Sequence, residues 1–282
     1  MITRYRIRSM SQTQLHIRQM TLGDIDLAMR LKDQVGWNQT PDDIRRLIEY
    51  EPEGCFIAEF DGVPVGTVST TSYGQKVAWI GMMLVLPEYR RRGIARQLIQ
   101  AGIDYLQRQG VTCIKLDATP LGQPLYEQLD FYAEWGFQRW EREGENVPTF
   151  PLDGALSAEL VAMDEVAFGA DRSRWLNSVA SGCRVFTAPS TFGMLRPGSV
   201  ATYLGPVVSE DSSEVAALVG EMLSSAQGRV FWDIPTGNAL SESLAAKHGL
   251  VPVRQLLRMW SGHANVAGRT DLQFALLDPT TG

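Results

Sequence analysis

Residues 90–92 of this chain are three consecutive arginines, and Gly93 follows them directly. An apolar run over residues 79–86 precedes the arginines and is typical of a buried β-strand. Pro87 ends this predicted strand, because proline has no N–H to donate to a sheet. After Gly93 the apolar residues recur at helical spacing, so the arginines lie where a strand ends and a helix begins.

A junction of this kind can bind an anion. The first backbone N–H groups of a helix have no partner within the helix, and the helix dipole is positive at that end. Gly93 allows a tight turn and leaves no side chain in the path of a ligand. The forked donors of arginine suit phosphate. The sequence therefore predicts a phosphate-binding loop at residues 90–96.

The elements that must position this loop follow from hydrophobic periodicity and turn residues. Thr40 and Pro41 have the types expected of a helix cap and a first helical residue. Asp61 and Gly62 predict a tight hairpin between two strands. We therefore expect, from residue 14 onwards, a strand, two helices, three strands joined by short turns, the loop with its helix, a strand, a short helix and a strand.

The second half of the chain repeats this order of elements. Residues 141–152 are charged and then contain two prolines, which predicts a linker, so we expect domains at residues 1–144 and 145–282. In the second half, residues 209–214 occupy the place of the phosphate-binding loop. They have no glycine or arginine and carry three acidic residues, so we expect no phosphate binding there.

The composition is that of a globular protein, with 282 residues, 44% hydrophobic and 21% charged. A net charge of −6 argues against nucleic-acid binding, and no apolar run reaches the ~20 residues that span a bilayer. The three cysteines lie apart in apolar runs, and the three histidines have no ligand spacing, so we expect neither disulfides nor a metal. We expect a cytoplasmic monomer or homodimer without membrane or nucleic-acid partners.

Two motifs resemble the GNAT family of N-acetyltransferases. Residues 90–95, Arg-Arg-Arg-Gly-Ile-Ala, are similar to its pyrophosphate loop, Arg/Gln-x-x-Gly-x-Gly/Ala. Residues 125–131 resemble its segment Leu-Tyr-Glu-x-Leu-Gly-Phe, with Asp130 in place of the usual glycine. The second half resembles the C-terminal module of tandem GNAT proteins. The resemblance implies an α/β (α+β) protein with two GNAT-like folds in tandem, each a mixed, mostly antiparallel twisted sheet flanked by helices.

In this family the loop holds the pyrophosphate of acetyl-CoA through backbone amides. The resemblance therefore implies acetyl-CoA as co-substrate, and a backbone N–H on the strand before the loop that polarises the thioester carbonyl. The residues expected to contact acetyl-CoA are Met83, Leu84, Val85, Arg90, Arg91, Arg92, Gly93, Ile94, Ala95 and Arg96.

The resemblance also implies catalytic roles. Tyr126 matches the tyrosine that often protonates the leaving thiolate, and Tyr132 is the alternative donor. The strand before the loop has no carboxylate, so the candidates for the base are Asp117 at a strand end, Glu59 on an earlier strand, or a water-mediated route. The alternative is that the reacting amine binds in its neutral form and needs no base.

The acceptor pocket of the family is shaped between the first two helices. Trp37, Asn38 and Gln39 lie there, and an aromatic ring beside two amides suits a small molecule with polar and apolar parts. Packing of Trp37 on the core is the alternative. In the second half, Asp171, Arg172 and Asp233 could reach a cleft between the halves, but capping of helices or strand ends is the simpler interpretation.

These observations favour an acetyl-CoA-dependent N-acetyltransferase that acts on a small amine or an amino-acid-like acceptor by direct transfer in a ternary complex. Transfer of a longer acyl group, or acylation of a protein or peptide amine, is the alternative among enzymes. A non-catalytic acyl-CoA sensor is the alternative outside enzymes, because the strand before the loop lacks a carboxylate.

Overall fold

The computed structural model describes residues 14–144, 151–152, 154–226 and 228–282. Part of the predicted linker, residues 145–150, lies outside the described residues, as do residues 1–13. The elements of the first half are β1 (Leu15–Gln19), α1 (Ile25–Asp33), α2 (Pro41–Tyr50), β2 (Phe56–Phe60), β3 (Val63–Tyr73), β4 (Val77–Val85), α3 (Ile94–Arg108), β5 (Cys113–Ala118), α4 (Gln123–Glu127) and β6 (Tyr132–Arg142). Those of the second half are α5 (Ala158–Phe168), α6 (Ser173–Ala180), β7 (Arg184–Ala188), β8 (Thr191–Arg196), β9 (Thr202–Ser209), α7 (Ser212–Ser225), β10 (Val230–Pro235), α8 (Ala239–Lys247), β11 (Val251–Gly262) and β12 (Gln273–Ala275).

Local sequence signals set several of these boundaries. Thr40 caps α2, because its Oγ1 accepts a bond from the Asp43 N–H while the Asp43 carboxylate accepts one from the Thr40 N–H. Pro41 is the first residue of this helix, as predicted. Asp61 and Gly62 join β2 to β3 and both have positive φ angles, 52° and 78°, as a tight hairpin turn requires.

The strands form one twelve-stranded sheet in the described part of the chain. Its order is β1-β2-β3-β4-β5-β11-β6-β10-β9-β8-β7, and β12 pairs with β9. The pairs β4–β5 and β9–β10 are parallel, and the other neighbours are antiparallel. The predicted mixed, mostly antiparallel architecture is therefore confirmed, but the sequence did not predict that the two sheets join.

The last long strands of the two halves exchange places at the junction. β11, from the second half, pairs with β5 of the first half, and β6, from the first half, pairs with β10 of the second. β6 and β11 also pair with each other. Each half therefore completes its sheet with a strand of the other, and side chains of both halves alternate along the junction.

β4 and β5 separate after a short parallel contact. They pair only at Ala78 with Ile114 and at Trp79 with Lys115, although β4 continues to Val85. The separation leaves a gap between the strand ends, and the loop after β4 stands beside it. A gap at the carboxyl ends of parallel strands is a common place for ligands.

Helices of both halves share one apolar core on one face of the sheet. Leu47 of α2 and Leu176 of α6 belong to the same buried cluster. The rings of Tyr50 and Trp175 meet edge to face with centroids 5.1 Å apart. On the other side, α3 packs its buried leucine and isoleucine residues on the first half of the sheet. Because these contacts join both halves, their relative placement is fixed by packing as well as by the sheet.

Residues 278–282 lie against β4. Trp79 Nε1 donates to the Pro279 carbonyl at 3.3 Å, and the Tyr73 hydroxyl donates to the Thr281 carbonyl at 2.5 Å. Gly81 permits this close approach, because a Cβ atom at that position would lie 2.1 Å from the Thr280 carbonyl oxygen. Residues of the second half thereby reach the gap beside β4.

Candidate active site

The predicted phosphate-binding loop has the backbone geometry of an anion site. After β4 a short 3-10 turn, Pro87–Tyr89, leads to Arg91 with φ 60° and Gly93 with φ 78°, and α3 begins at Ile94. The N–H groups of residues 91–96 have no acceptor among the described residues. These free donors stand at the positive end of a fifteen-residue helix. The loop can therefore bind a phosphate or pyrophosphate through its backbone.

The arginine side chains of the loop surround these amides. Arg90 Nε donates to the Val85 carbonyl at 3.0 Å, which ties the loop to the end of β4. The Arg92 guanidinium lies over the rings of Phe60 and Tyr89, 5.0 and 5.5 Å from their centroids. Arg96 donates to Gln128 at 2.9 Å. Their charges remain near the loop and add to its positive potential.

A cavity of about 490 Å³ begins beside this loop. Its exposed lining residues, Arg90 and Leu121, mark the opening, and its buried lining residues, Arg139 and Tyr203, mark the closed end. It passes through the gap between β4 and β5. Both halves of the chain contribute to its wall, which includes Trp37, Asn38, Gln39, Gly81, Met82, Met83, Leu84, Val85, Ala95, Asp117, Tyr126, Arg254, Asp278 and Thr280.

A β-bulge in β4 faces this cavity. Thr67 of β3 pairs with Leu84 and Ser69 pairs with Gly81, so Met82 and Met83 together oppose one residue. Met82 has a φ of 47°, and its carbonyl accepts a bond of 2.7 Å from Thr67 Oγ1. A bulge leaves an extra residue outside the ladder and so supplies backbone groups that can bind a ligand.

Tyr126, in α4, also lines the cavity. Its ring meets Phe131 edge to face at 6.0 Å, and its hydroxyl has no hydrogen-bond partner among the described residues. Burial raises the pKa of Tyr126 to about 12. The phenol therefore keeps its proton at neutral pH and is available as a donor. Tyr132, the alternative donor, is 58% exposed and lies beside Trp260.

Asp117 lines the cavity from β5, but Arg258 binds both of its oxygens. The Nε and Nη2 atoms of Arg258 each donate at 2.9 Å, and the Asp117 side chain is fully buried. Burial raises the pKa of Asp117, and Arg258 opposes this shift. Each carboxylate oxygen has two lone-pair sites, so the ion pair does not exhaust its capacity to accept a proton. Glu59 instead pairs with Arg18 at 2.7 Å, on β2 and β1.

A cluster of ion pairs forms the closed end of the cavity. Arg139 donates to Asp233 at 2.8 and 2.6 Å, and the Tyr203 hydroxyl donates to the same carboxylate at 2.6 Å. Arg196 pairs with Asp278. Burial alone would raise the pKa of Asp278, but Arg196 and Thr280 hold it below its ordinary value. Arg139 comes from the first half of the chain and the other groups from the second half.

The segment of residues 37–39 forms part of the cavity wall. The Asn38 side chain is already bonded, because it accepts from the N–H groups of Val200 and Ala201 and donates to the Ala201 carbonyl. Gln39 is different, since its buried Oε1 has no hydrogen-bond partner among the described residues. Asn38 therefore fastens the wall to the second half, and Gln39 presents a free acceptor atom.

The interpretation of the three polar residues of the second half as caps is correct for one of them. Asp171 accepts a bond of 2.8 Å from the Ser173 N–H at the start of α6. The interpretation is wrong for Asp233, which belongs to the ion-pair cluster, and for the side chain of Arg172, which pairs with Asp164 at 2.7 Å. Arg172 does occupy the N-cap position of α6, but its side chain makes no capping bond, and both side chains are buried and paired with an opposite charge.

Several lining residues were missed by the sequence analysis: Arg139, Tyr203, Arg254, Asp278 and Thr280. The signal that could have found them is charge inside an apolar strand. Arg139 stands between Phe137 and Trp140, and Arg254 stands in the predicted last long strand. A charge at such a position is buried only when it has a partner or a ligand.

In the second half, residues 209–214 carry a carboxylate where the first half has the arginine loop. Asp211 caps α7 by accepting a bond of 2.9 Å from the Ser213 N–H. Within the described residues, no group of histidine, cysteine, aspartate and glutamate side chains is arranged to hold a metal ion, and Cys55, Cys113 and Cys183 are buried free thiols. None of the helices in those ranges is both long and apolar enough to span a bilayer.

Comparison with known proteins places the chain among acetyltransferases. Residues 24–137 match the model described as the acetyltransferase (GNAT) family, and residues 160–275 match one described as an acetyltransferase (GNAT) domain. The chain is 26% identical over 231 residues to the uncharacterized N-acetyltransferase YitH of Bacillus subtilis, which covers 77% of this chain and 81% of that protein. It is 30% identical to an uncharacterized N-acetyltransferase of Archaeoglobus fulgidus, over 35% of this chain and 69% of that protein.

Solved structures agree on the fold. A Pyrococcus horikoshii protein superimposes with a TM-score of 0.83 at 23% identity, over 99% of this chain and 100% of its own. A tandem GNAT protein from the clavulanic acid biosynthesis pathway superimposes with a TM-score of 0.60 at 13% identity, over 89% of this chain and 100% of its own. At these identities the likeness concerns the tandem architecture alone.

Proposed function

Because the chain belongs to the GNAT family of acetyltransferases, we propose that it transfers the acetyl group of acetyl-CoA directly to the amine of a small or amino-acid-like acceptor. The observation that carries this proposal is a single cavity that joins the loop at residues 90–96 to the junction of the two halves. One continuous space can hold donor and acceptor at the same time, as direct transfer in a ternary complex requires.

Acetyl-CoA, when bound, supplies the thioester that the amine attacks. The free N–H groups of residues 91–96 would hold its pyrophosphate, with Arg90, Arg92 and Arg96 adding positive charge. The bulge at Met82 and Met83 would direct a backbone N–H of residues 83–85 towards the thioester oxygen. A donor fixed in place before the reaction stabilises the negative charge that develops on that oxygen.

Tyr126 is the proposed general acid. It lines the cavity, its hydroxyl makes no other hydrogen bond within the described ranges, and its raised pKa keeps the proton available. Its proton would pass to the sulfur of the leaving thiolate when the thioester C–S bond breaks. General acid catalysis of this kind contributes about 10²- to 10⁴-fold to a rate.

Asp117 is the proposed base. It is the carboxylate of β5 in the cavity wall, and its raised pKa moves it towards the range in which a carboxylate accepts a proton from an ammonium group. Arg258 would keep the carboxylate oriented through their two hydrogen bonds. The alternative is that the ammonium group of the acceptor loses its proton to water, and the amine then reacts without Asp117.

A small acceptor is favoured over a protein because the acceptor end of the cavity is enclosed. Buried residues of β6 and β9 close it, and residues 278–280 cover it from the side of β4. The chain is also 28% identical over 133 residues to the aminoglycoside N(6')-acetyltransferase type 1 of Salmonella typhimurium, over 42% of this chain and 91% of that protein. That similarity supports a small amine as the acceptor class.

The test is release of free thiol from acetyl-CoA in the presence of a panel of small amines and lysine peptides. We expect amine-dependent thiol release with small amines and formation of the N-acetyl product by mass spectrometry. Thiol release only with peptides would overturn the small-acceptor proposal. Tight acetyl-CoA binding without turnover of any amine would overturn the enzymatic one and leave the sensor hypothesis.

A further inference from the structure

Three charged residues form a row across the junction of the two halves. Arg139 on β6 pairs in register with Asp233 on β10 and, on its other side, with Arg254 on β11. Asp233 is fully engaged by Arg139 and by the Tyr203 hydroxyl. Arg254 therefore faces another arginine across the strands, and like charges directly opposite each other destabilise a sheet.

The remaining charges at the closed end do not neutralise Arg254. The other arginines each have a carboxylate partner: Asp233 for Arg139, Asp278 for Arg196 and Asp117 for Arg258. Arg196 also lies 3.6 Å from Asp43, which pairs with Arg46, so five arginines meet four aspartates and the surplus is one positive charge. Arg254 forms none of the ion pairs found among the described residues.

The Arg254 side chain also has an unused donor. Its Nε is buried and has no hydrogen-bond partner in the described part of the chain, although the residue lines the cavity. Burial, and secondly the charge of Arg139, lower the pKa of Arg254. The charged form of Arg254 is therefore destabilised in the free protein. A buried guanidinium beside a cavity is stabilised when an anion occupies that cavity.

One surplus positive charge is matched by one negative charge. A carboxylate has this charge and the planar, two-oxygen shape that fits the guanidinium fork. A phosphate dianion would bring excess negative charge beside Asp117, Asp233 and Asp278. An acceptor with several ammonium groups, such as an aminoglycoside, would meet the uncompensated Arg254.

We propose that Arg254 binds the carboxylate of the acceptor, so that the acceptor is a small molecule with both an amine and a carboxylate, such as an amino acid. This inference rests on the proposed function, because it assigns the acceptor of the same cavity. Arg254 is a specificity-determining residue in this account and takes no part in proton transfer.

The test compares amines with and without a carboxylate, and kcat/KM is expressed per concentration of neutral amine because a carboxylate raises the pKa of the neighbouring ammonium group. The first arm compares the proteinogenic L-amino acids with their α-carboxamides. The second arm compares β-alanine with its amide, and the third compares phosphoethanolamine with ethanolamine. We expect kcat/KM at least about tenfold higher for a carboxylate than for its amide in the first or second arm, because hydrogen bonds to charged groups are the strong ones. Preference for the amides, or for phosphoethanolamine, would overturn the proposal.

Three variants locate the effect. Arg254→Met should lower kcat/KM for the carboxylates by about 10- to 100-fold and for the amides much less, whereas Arg254→Lys, which keeps the charge, should retain part of the preference. Arg45→Met removes an exposed arginine outside the cavity and should keep the preference of the wild type. Equal loss for carboxylates and amides in folded Arg254→Met would overturn the proposal.

A binding measurement separates this inference from the proposed function. N-acetyl amino acids and their amides are titrated against the wild type and Arg254→Met, with tryptophan fluorescence as the readout. Binding of the acids that is weakened by Arg254→Met supports the inference even if no amine is acetylated. Acetylation of amines with no dependence of binding or of kcat/KM on Arg254 supports the proposed function and refutes the inference.

Discussion

Arg254 lies directly opposite Arg139 across β11 and β6, and only Arg139 has a carboxylate partner. This relationship exists because the two halves exchange their last long strands, so that a strand of each half enters the sheet of the other. The closed end of the cavity is thus built at the junction and belongs to neither half alone. The second half therefore contributes to the proposed acceptor site, even though its residues 209–214 carry acidic residues where the first half has its arginine loop.

Replacement of Tyr126 by phenylalanine removes the proposed proton donor and preserves the ring. We expect kcat to fall by about 100-fold while the Kd for acetyl-CoA stays within about twofold, because the loop at residues 90–96 is unchanged. Steady-state kinetics and calorimetric titration measure the two quantities. Tyr132→Phe is the matched control, since Tyr132 is exposed and does not line the cavity. Full activity in Tyr126→Phe would show that another group protonates the thiolate.

The raised pKa of Tyr126 has a consequence for the pH profile. A phenol is a donor only below its pKa, and this pKa is raised to about 12, so the group remains protonated throughout the usual assay range. The ratio of kcat for wild type to kcat for Tyr126→Phe should therefore stay constant between about pH 7 and pH 10. A ratio that stays constant to about pH 9 and then falls about twofold by pH 10 would mean that the phenol ionises near its ordinary pKa.

Replacement of Asp117 by asparagine should affect both stability and rate. Arg258 would remain buried without a full charge partner, so we expect about 3 kcal/mol lower free energy of unfolding in urea. If Asp117 is the base, kcat of the folded variant should fall by about 100-fold. Asp42→Asn breaks an exposed pair with Arg45 and should cost less than about 0.5 kcal/mol. Unchanged kcat in Asp117→Asn, with the expected loss of stability, would leave Asp117 with a structural role only.

Replacement of Gly81 by alanine should disturb the acceptor side of the cavity. The added Cβ would lie 2.1 Å from the Thr280 carbonyl oxygen, so residues 278–280 must move away from β4. We expect the KM for the acceptor to rise about tenfold and stability to fall by about 1–3 kcal/mol, with acetyl-CoA affinity nearly unchanged. Gly220→Ala adds a methyl group to α7 with no atom within 4 Å and should stabilise the protein slightly. An unchanged acceptor KM in Gly81→Ala would remove residues 278–280 from the acceptor site.

The elements of the fold were predictable because their signals are local. Thr40 and Pro41 mark the start of a helix whatever the rest of the chain does, and Gly93 marks the turn after the arginines. Two segments that the sequence singled out, the loop at residues 90–96 and Tyr126, both contribute to the cavity wall, because both belong to the first half of the chain. The division into domains at residues 144 and 145 stays a prediction.

The closed end of the cavity, where we propose that the acceptor binds, was not predictable in the same way. It depends on pairs such as Asp117 with Arg258, which are 141 residues apart in the chain and meet only because β11 enters the sheet beside β5. No local pattern encodes which strand will be the neighbour of another across such a distance. The role of Arg254 could not be predicted for the same reason. What distinguishes Arg254 is that it has no carboxylate partner in the buried cluster, and those neighbours are known only from the fold.

The loop at residues 90–96, as the proposed binding site for the pyrophosphate of acetyl-CoA, is the part of the molecule on which every other proposed role depends. The decisive measurement is the Kd for acetyl-CoA, by isothermal titration calorimetry, of Gly93→Trp and of the control Gly74→Trp. Both glycines have positive φ, 78° and 63°, and both have no atom within 4 Å of an added Cβ, so the two variants carry similar backbone strain. We predict that Gly93→Trp raises the Kd by at least about tenfold and that Gly74→Trp leaves it unchanged. Equal affinities for acetyl-CoA in the two folded variants would contradict the account.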